Sequence, residues 1–231
     1  MVNLLIKPWY KKWWGILILI FITLILILVI AFAFAIANEI KKYKSSTPEQ
    51  KLFNNIVYTQ QRQKEVEGEN NPWFGSTDPK VTIVEFVDYS CSMCKNSYST
   101  IREISLIYQN NVKIIIRDFP GYEQSLNLAM AAHCAKEQGL FWQMHDKLFQ
   151  NQGVNQREQL IELANQIGAD LTRFTDCFDQ QKYLKQIQEN FSAGQNLGVT
   201  GTPTWFINGV KIEGDIPYEL FIQIMEELIQ N

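Results

Sequence analysis

The segment Val81-Thr-Ile-Val-Glu-Phe-Val-Asp-Tyr-Ser-Cys-Ser-Met-Cys94 contains the features that decide the fold of this chain. Its first seven residues, 81–87, are mostly apolar and rich in β-branched side chains, which predicts a buried strand. The two cysteines follow at once, and apolar residues then recur at helical spacing as far as about Gln109. The segment therefore predicts a strand that leads directly into a helix, with Cys91 and Cys94 at the junction.

Two further regions extend this unit into an α/β sheet. Residues 112–116 repeat the apolar character of the first strand, and the succession of strand, helix and strand favours a parallel pair. Residues 125 to about 195 then show several helical patterns, with Gly139, Gly153 and Gly168 near the expected helix ends. This second region predicts a block of helices inserted in the middle of the fold.

The last part of the chain predicts a hairpin and a closing helix. Residues 204–207 and 210–213 have extended character and flank Asn208-Gly209, a pair that favours a two-residue β-turn. An amphipathic pattern from about residue 217 to 229 predicts the final helix. The complete order of elements indicates an α/β sheet with an inserted helical block.

A separate apolar segment, residues 15–37, lies near the start of the chain. It has 23 residues without a charge, and Thr23 is its only polar member. A helix of this length spans a hydrocarbon core of about 30 Å, whereas the apolar core of a secretory signal has about 7 to 15 residues. We therefore expect an uncleaved transmembrane anchor; the alternative is a cleaved signal, because alanines at 33, 35 and 37 resemble a cleavage site.

The residues that flank this segment predict its orientation. Lysines and aromatic residues precede it, namely Lys7, Lys11, Lys12, Trp9, Tyr10, Trp13 and Trp14. Positive charge favours the cytoplasmic side, and amphipathic rings favour the headgroup layer, so residues 1–14 are expected to be cytoplasmic. Three lysines within residues 41–44 make the difference in positive charge across the segment small. The rest of the chain is expected in the periplasm or outside the cell.

Residues 38–69 are interpreted as a linker with a short helix, and residues 70–231 as one domain. Apolar side chains recur at helical spacing after Pro48, at Leu52, Phe53, Ile56 and Val57. A cluster of turn-forming residues between 68 and 80 marks the entry to the main fold. The length beyond the anchor suffices for one domain with a substantial core.

The net charge bears on the class of partner, and the cysteine content bears on the compartment. Residues 45–231 contain 15 Lys and Arg against 23 Asp and Glu, a net charge of −8 that disfavours nucleic acid or anionic lipid as a partner. All four cysteines lie in this part, and an even number fits an oxidising compartment. Both observations agree with a domain that is translocated across the membrane.

The spacing of Cys91 and Cys94 suits redox chemistry. Both sulfurs fall within the first turn of the predicted helix, where unpaired amides and the helix dipole stabilise a thiolate at Cys91. Cys94, one turn further in, can attack a mixed disulfide at Cys91 and release the partner. The alternative is half of a zinc site, but a four-ligand site needs a second cysteine pair or paired histidines, and the chain offers only His133-Cys134, His145 and Cys177.

Three motifs together resemble the DsbA-like thiol:disulfide oxidoreductases of the thioredoxin superfamily. They are the segment 81–94, Glu137-Gln-Gly-Leu-Phe-Trp-Gln-Met-His-Asp-Lys-Leu-Phe149, and Gly198-Val-Thr-Gly-Thr-Pro-Thr-Trp-Phe-Ile-Asn-Gly209. The resemblance covers residues 70–231. It implies an α/β thioredoxin-like fold with an inserted helical domain at about 122–197, preceded here by one N-terminal transmembrane helix.

The resemblance also implies roles for residues around the cysteines. Thr202-Pro203 matches a cis peptide bond beside the active disulfide, where the Thr202 backbone can pair with an extended substrate segment; the alternative is an ordinary trans proline. Glu85 matches a buried acid, whose raised pKa lets it exchange protons with Cys94 through a water molecule. The alternative for Glu85 is a strand-edge residue with its carboxylate in solvent. Asp88 is interpreted as a turn or capping residue.

In the helical block the resemblance implies a structural disulfide between Cys134 and Cys177. The alternative is two separate buried thiols that pack as small apolar residues. His133 and His145 are interpreted as surface or capping histidines. The apolar side chains of the second motif are expected to pack in the core or line a groove, namely Phe141, Trp142, Met144, Leu148 and Phe149.

The resemblance implies an enzyme that exchanges the Cys91–Cys94 disulfide with cysteines of exported proteins in the direction of disulfide formation. It implies a membrane quinone-linked thiol oxidase as redox partner and no bound cofactor or metal. Met93 stands where the best-known member has a histidine, so Cys91 is expected to be less acidic and the pair less oxidising than in that relative. The alternatives are a disulfide reductase or isomerase, and a thioredoxin-fold binding module or chaperone with incidental cysteines.

Overall fold

The computed structural model describes residues 13–45 and 62–230, which belong to two compact units divided between residues 57 and 58. In the first unit, helix α1 runs over Trp13–Ser45. Within its 25-residue stretch Leu17–Lys41, an 18-residue segment has a mean hydropathy of 3.4 and is not buried against protein. This helix is therefore long and apolar enough to cross a membrane. The short helix expected around residues 52–57 lies outside the described residues.

The second unit is an α/β domain. Its strands are β1 (Trp73–Gly75), β2 (Val81–Val87), β3 (Val112–Asp118), β4 (Thr204–Ile207) and β5 (Val210–Glu213). Its helices are α2 (Ser92–Ile107), α3 (Glu123–Lys136), α4 (Phe141–Gln150), α5 (Arg157–Gln166), α6 (Leu171–Asp179), α7 (Leu184–Asn196) and α8 (Tyr218–Gln230). Residues 62–67 are also helical.

The strands form one mixed sheet in the order β1-β3-β2-β4-β5. The predicted parallel pair of β2 and β3 is confirmed, and β2 also pairs with β4 in the antiparallel sense. All seven residues of β2 are buried, as expected for a central strand with elements on both faces. Strand β2 thus places the loop that follows it, which contains both candidate cysteines, at one edge of a rigid sheet.

The hairpin of β4 and β5 is confirmed as well. The two strands pair in the antiparallel sense from Thr204 opposite Glu213 to Ile207 opposite Val210. Residues 208–209 both have positive φ angles, +47° and +80°, as a two-residue turn of this kind requires. The hairpin adds the last two strands to the sheet beside β2.

Strand β1 is absent from the sequence prediction, which interprets its surroundings as a cluster of turns. It has only three residues and pairs with β3 in the antiparallel sense, Phe74 opposite Ile114. A Cβ atom at Gly75 would lie 2.1 Å from the carbonyl oxygen of Val112, so the close approach of the two strands requires glycine there. A strand this short leaves no periodic pattern, and only its pairing with β3 defines it.

Helices α3 to α7 lie between β3 and β4 in the chain, and α3 is the central helix of this block because most of its residues are buried. A disulfide joins Cys134 on α3 to Cys177 on α6, with a Cα–Cα distance of 5.7 Å. Among the apolar residues of the second motif, Phe141, Met144, Leu148 and Phe149 are buried, and Trp142 packs partly buried against them. The expectation of core packing there is confirmed.

The interpretation of His133 and His145 as surface or capping residues is wrong, because both side chains are fully buried. The His133 ring stacks on Tyr183 at a centroid distance of 5.1 Å. The His145 ring is surrounded by the aromatic rings of Tyr89, Phe141, Trp142 and Phe149, all within 5.7 Å. The flat imidazole ring packs on aromatic rings, so histidine at these positions belongs to the core.

A buried polar network joins the sheet to the helical block. Asp118, at the end of β3, accepts hydrogen bonds from His133 Nε2 at 2.7 Å and from Asn190 Nδ2 at 3.1 Å. Burial alone would raise the pKa of Asp118, but His133 and these hydrogen bonds hold it below its usual value. Arg117 donates to Asn190 and to the main-chain carbonyls of residues 65–66, which ties the helical segment 62–67 to the same network.

Candidate active site

The loop after β2 presents Cys91 as the N-cap residue of α2. Asp88 shapes this loop, since its two carboxylate oxygens accept hydrogen bonds from the amides of Ser90 and Gly121, both at 2.7 Å. Its main-chain carbonyl accepts from the amide of Cys91 at 3.0 Å. The expected turn role of Asp88 is confirmed, and it leaves Cys91 at the start of the helix.

The two cysteines are reduced in this structure and differ in exposure, since Cys91 is half-buried and Cys94 is fully buried. The pKa of Cys91 is lowered to about 5, first by a hydrogen bond with the Cys94 side chain. Hydrogen bonds from the Thr202 side chain and from the amides of Met93 and Cys94 add to this effect, and partial burial opposes it. Cys91 is therefore largely a thiolate at neutral pH.

Cys94 has the opposite character. Burial raises the pKa of its thiol well above the ordinary value, and the hydrogen bond to Cys91 and the charge of Glu85 raise it further. Of the two hydrogen-bonded sulfurs, that of Cys91 readily becomes anionic and that of Cys94 keeps its proton. Such a difference favours the chemistry in which Cys91 is the sulfur that forms and releases the mixed disulfide with a partner.

Thr202 and Pro203 lie beside the sulfur of Cys91. Their peptide bond is cis, and the Cys91 thiol donates a hydrogen bond to the Thr202 carbonyl at 3.2 Å. The carbonyl of Pro203 in turn accepts from the amide of Gly214 at 2.9 Å, at the end of the hairpin. The fold therefore brings together residues that are 111 positions apart in the sequence.

Glu85 lies inside the sheet on β2, opposite Ile116 and Trp205 of the two neighbouring strands. Its side chain is buried, with 1% relative exposure, and burial raises its pKa well above the ordinary value. The charges of Asp215 and Cys91 raise it further. Glu85 is therefore a buried carboxyl group whose surroundings favour its neutral form, not a strand-edge residue with its head in solvent.

Two features of the site are missed by the sequence prediction. The side chain of Gln152 donates hydrogen bonds to the main-chain carbonyls of Tyr89 and Cys91, at 3.0 and 2.8 Å. The Tyr89 hydroxyl, buried under the loop, is 3.1 Å from Nδ1 of His145. Gln152 stands in a polar turn between Asn151 and Gly153, so no local pattern distinguishes it from a solvent-exposed side chain.

The residues that a zinc site would require are engaged elsewhere. Cys134 and Cys177 are bonded to each other, and His133 Nε2 is hydrogen-bonded to Asp118. In residues 13–45 and 62–230, no group of three or more Cys, His, Asp or Glu side chains is placed to hold a metal ion. The pairing of Cys134 with Cys177 thus removes the ligands on which the zinc alternative depended.

Comparison with known proteins agrees with this geometry. A family model described as Thioredoxin matches residues 65–227. The Na(+)/H(+) antiporter NhaA of Herminiimonas arsenicoxydans is 26% identical over 152 residues, which are 66% of this chain and 24% of that protein. The chain spans about a quarter of the length of the curated relatives that it matches.

Two solved structures show the same fold over nearly their whole length. The thiol-disulfide exchange protein α-DsbA2 from Wolbachia pipientis has 24% identity and a TM-score of 0.66, covering 80% of this chain and 100% of that one. BdbD from Bacillus subtilis has 26% identity and a TM-score of 0.62, covering 70% and 94%. The helices inserted between β3 and β4 and the cysteine pair at the start of α2 agree with the matched family model. This chain therefore belongs to the thioredoxin family and has the fold of its DsbA-like thiol:disulfide oxidoreductases.

Proposed function

We propose that this protein is a membrane-anchored thiol:disulfide oxidoreductase that donates its Cys91–Cys94 disulfide to cysteines of exported proteins. The observation that carries the proposal is the asymmetry of the pair: Cys91 is half-buried with a pKa of about 5, and Cys94 is buried with a raised pKa. A stabilised thiolate favours the reduced state of the pair, which makes the oxidised state a good donor of disulfides.

The reaction starts from the oxidised enzyme. A substrate thiolate attacks the sulfur of Cys91, a bond forms between the two sulfurs, and the Cys91–Cys94 bond breaks. The electron pair of the broken bond goes to Cys94, which leaves as a thiolate and takes up one proton. The more exposed position of Cys91 supports this choice of the attacked sulfur, because the substrate must reach it along the line of the breaking bond.

The second step releases the oxidised substrate. A second substrate thiolate attacks its own partner sulfur in the mixed disulfide, and Cys91 leaves as a thiolate that its hydrogen-bond partners stabilise. The substrate has then lost two electrons and the enzyme has gained them. A membrane quinone-linked thiol oxidase is the partner that accepts these two electrons and restores the Cys91–Cys94 disulfide.

Glu85 is proposed as the proton donor to Cys94. Burial raises the pKa of this carboxyl group, which favours its protonated form, and an anionic Glu85 would raise the pKa of Cys94. When Cys94 leaves as a thiolate in a buried site, the cost of its buried charge favours proton transfer to it from a buried acid. A water molecule between the two groups would complete the path.

Thr202 and Pro203 are proposed as the contact for the substrate main chain. The Thr202 carbonyl already lies within hydrogen-bond distance of the Cys91 sulfur. An extended substrate segment that places its cysteine at Cys91 can pair with the Thr202 backbone as an added strand does. Main-chain pairing depends little on side chains, which suits an enzyme with many exported substrates.

We place the catalytic domain on the extracytoplasmic side of the membrane, with residues 1–14 in the cytoplasm and α1 as an uncleaved single-pass anchor. The apolar stretch Leu17–Lys41 supports the anchor by its length. The disulfide between Cys134 and Cys177 supports an oxidising compartment, since such bonds persist in secreted and periplasmic proteins and are rare in the cytosol.

The test is the equilibrium reduction potential of the pair. The full chain in detergent micelles would be equilibrated with glutathione redox buffers, and Cys91 and Cys94 followed by alkylation and mass. A potential near about −120 mV supports disulfide donation, and one near about −270 mV supports a reductase instead. A pair without a reversible transition would overturn the redox proposal and leave a binding module.

A further inference from the structure

Gln152 is the residue through which the helical block contacts the backbone of Cys91. It follows the end of α4, within a short turn in which residues 152 and 154 form an isolated bridge. Its Nε2 atom donates to the carbonyl of Cys91 at 2.8 Å and to the carbonyl of Tyr89 at 3.0 Å. One side-chain amide thus uses both of its protons to hold the main chain on both sides of Ser90.

The Cys91 carbonyl has a second partner that explains why its position matters. It also accepts from the amide of Lys95 at 3.1 Å, which is the first turn of α2. Cys91 has an extended conformation, with φ −80° and ψ 124°, as N-cap residues do. In this conformation its sulfur faces the amides of Met93 and Cys94, which stabilise the thiolate. Gln152 therefore holds the peptide group that sets the direction of the sulfur.

The other links between the loop and the helical side of the molecule act on earlier residues. The hydroxyl of Ser125 is 2.9 Å from that of Ser90, and the amide of Gly121 donates to Asp88. These contacts shape the loop, but they do not bond to the peptide group of Cys91. Among these three links, only the hydrogen bond from Gln152 is made to the main chain of Cys91 itself.

We propose that Gln152 is a positioning residue that holds Cys91 at the N-cap of α2 and thereby couples the helical block to the reactive sulfur. The inference rests on the proposed function for its biological meaning. The proposal predicts a change in the pKa of Cys91, which can be measured separately from disulfide exchange.

A series of substitutions separates positioning from simple packing. Gln152→Ala removes both hydrogen bonds, so the loop can relax away from the amides of Met93 and Cys94. Gln152→Glu keeps the length of the side chain, but its carboxylate cannot donate and adds a negative charge near the sulfur. Gln152→Lys keeps a donor and adds a positive charge, which favours the thiolate.

The experiment measures the rate of alkylation of Cys91 against pH in the reduced full chain in detergent micelles, with the modified peptide identified by mass. We expect the pKa of Cys91 to rise by about half to one unit in Gln152→Ala, the range that one lost hydrogen bond of ordinary strength can produce. The rise should be larger in Gln152→Glu, and Gln152→Lys should show a pKa at or below that of the wild type.

The matched control is Gln138→Ala. Gln138 also bridges main-chain groups in the helical block, since it donates to the carbonyl of Asp170 at 3.2 Å and accepts from its amide at 2.8 Å. It contacts the start of α6, not the loop of Cys91. We expect this variant to lose some thermal stability and to leave the pKa of Cys91 unchanged.

The possible outcomes distinguish a positioning role of Gln152 from a purely structural one. A Cys91 pKa in folded Gln152→Ala above the wild-type value supports positioning, and one equal to the wild-type value overturns it, because the opposite shifts in Gln152→Lys and Gln152→Glu also follow from their charges alone. If every Gln152 variant unfolds while Gln138→Ala does not, Gln152 is a structural residue and the proposal also fails. A wild-type Cys91 with an ordinary thiol pKa and no reversible redox transition would instead contradict the proposed function.

Discussion

The two pairs of cysteines in this domain differ in spacing, in exposure and in bonding state. Cys91 and Cys94 are three positions apart at the start of α2, and one of them is half-exposed. Cys134 and Cys177 are 43 positions apart, lie on two different helices and are both buried. The first pair contains a sulfur that is stabilised as an anion, whereas the second is a closed disulfide inside the helical block.

The difference shows what determines the role of a cysteine pair. A disulfide between distant residues restricts the unfolded chain strongly, and burial keeps thiols away from it, so it stabilises the fold. A disulfide between neighbours within one helical turn restricts the unfolded chain much less, so its two redox states can be closer in free energy. Exposure of one sulfur and the helix N-terminus then make it reactive.

The sharpest test of this comparison is the removal of the reactive sulfur. We expect Cys91→Ser to abolish disulfide exchange with a reduced, unfolded protein substrate, while the thermal unfolding of the domain changes little. With a substrate that contains a disulfide, Cys94→Ala should accumulate a mixed disulfide, because the Cys91 thiolate breaks the substrate disulfide and the Cys94 sulfur that would then release the substrate is gone. Non-reducing gels followed by mass spectrometry would measure both results. Retained exchange activity in Cys91→Ser would show that the pair is incidental.

The second test removes the buried disulfide. Replacing Cys134 and Cys177 together by Ala opens a loop of about 44 residues, for which the chain-entropy model gives a loss of about 4 kcal/mol in the free energy of unfolding. Denaturant titration of the full chain would measure this loss. The reduction potential of the Cys91–Cys94 pair is expected to stay unchanged, and a large shift in it would show that the two pairs are coupled.

The third test uses pH. The folded-state pKa of Cys91 is depressed to about 5, so the thiolate contributes stability to the reduced protein above the ordinary thiol pKa, and this contribution is lost as pH falls through about 5. We expect the reduced form to gain stability over the oxidised form as pH rises from 5 towards 8. Thermal unfolding of both redox forms across this range would measure the gain, and parallel pH profiles would contradict the lowered pKa.

A smaller effect is expected for the buried acid. Glu85→Gln removes the proton donor but keeps the size and most of the hydrogen-bonding capacity of the side chain. We expect turnover in disulfide exchange to fall by about tenfold, less than the usual effect of general acid–base catalysis, because water can replace a donor in part. Stopped-flow rates for the release of Cys94 would measure this. An unchanged rate with an unchanged pKa of Cys94 would leave Glu85 without a role in catalysis.

The smallest effect is expected at Met93, an exposed residue between the two cysteines. Met93→His places an imidazole beside the sulfur of Cys91, where its protonated form favours the thiolate. We expect the equilibrium with glutathione to shift towards the reduced enzyme by about threefold. Met93→Leu is the matched control, since it changes the side chain without adding a donor, and an equal shift in both variants would exclude an electrostatic cause.

Local patterns were sufficient to predict the elements that carry the site. Strand β2 is a continuous apolar run, the hairpin contains Asn-Gly, and the cysteine spacing is confined to one helical turn. Each of these features depends on residues only a few positions apart, so the sequence displays it directly. Strand β1 was missed because its three residues become a strand only through the neighbouring β3.

The sequence by itself determined the order of the elements, the position of the cysteine pair at a strand–helix junction and the apolar helix near the start of the chain, because periodicity and composition are local properties. Only the tertiary structure decided which distant groups meet. It buried His133 and His145, placed the Thr202 carbonyl at the sulfur of Cys91 and brought Gln152 to the carbonyl of the same residue. The Thr202 and Gln152 contacts join residues 111 and 61 positions apart. The pairing of β4 with β2 creates the first, and the packing of the helical block on the sheet creates the second.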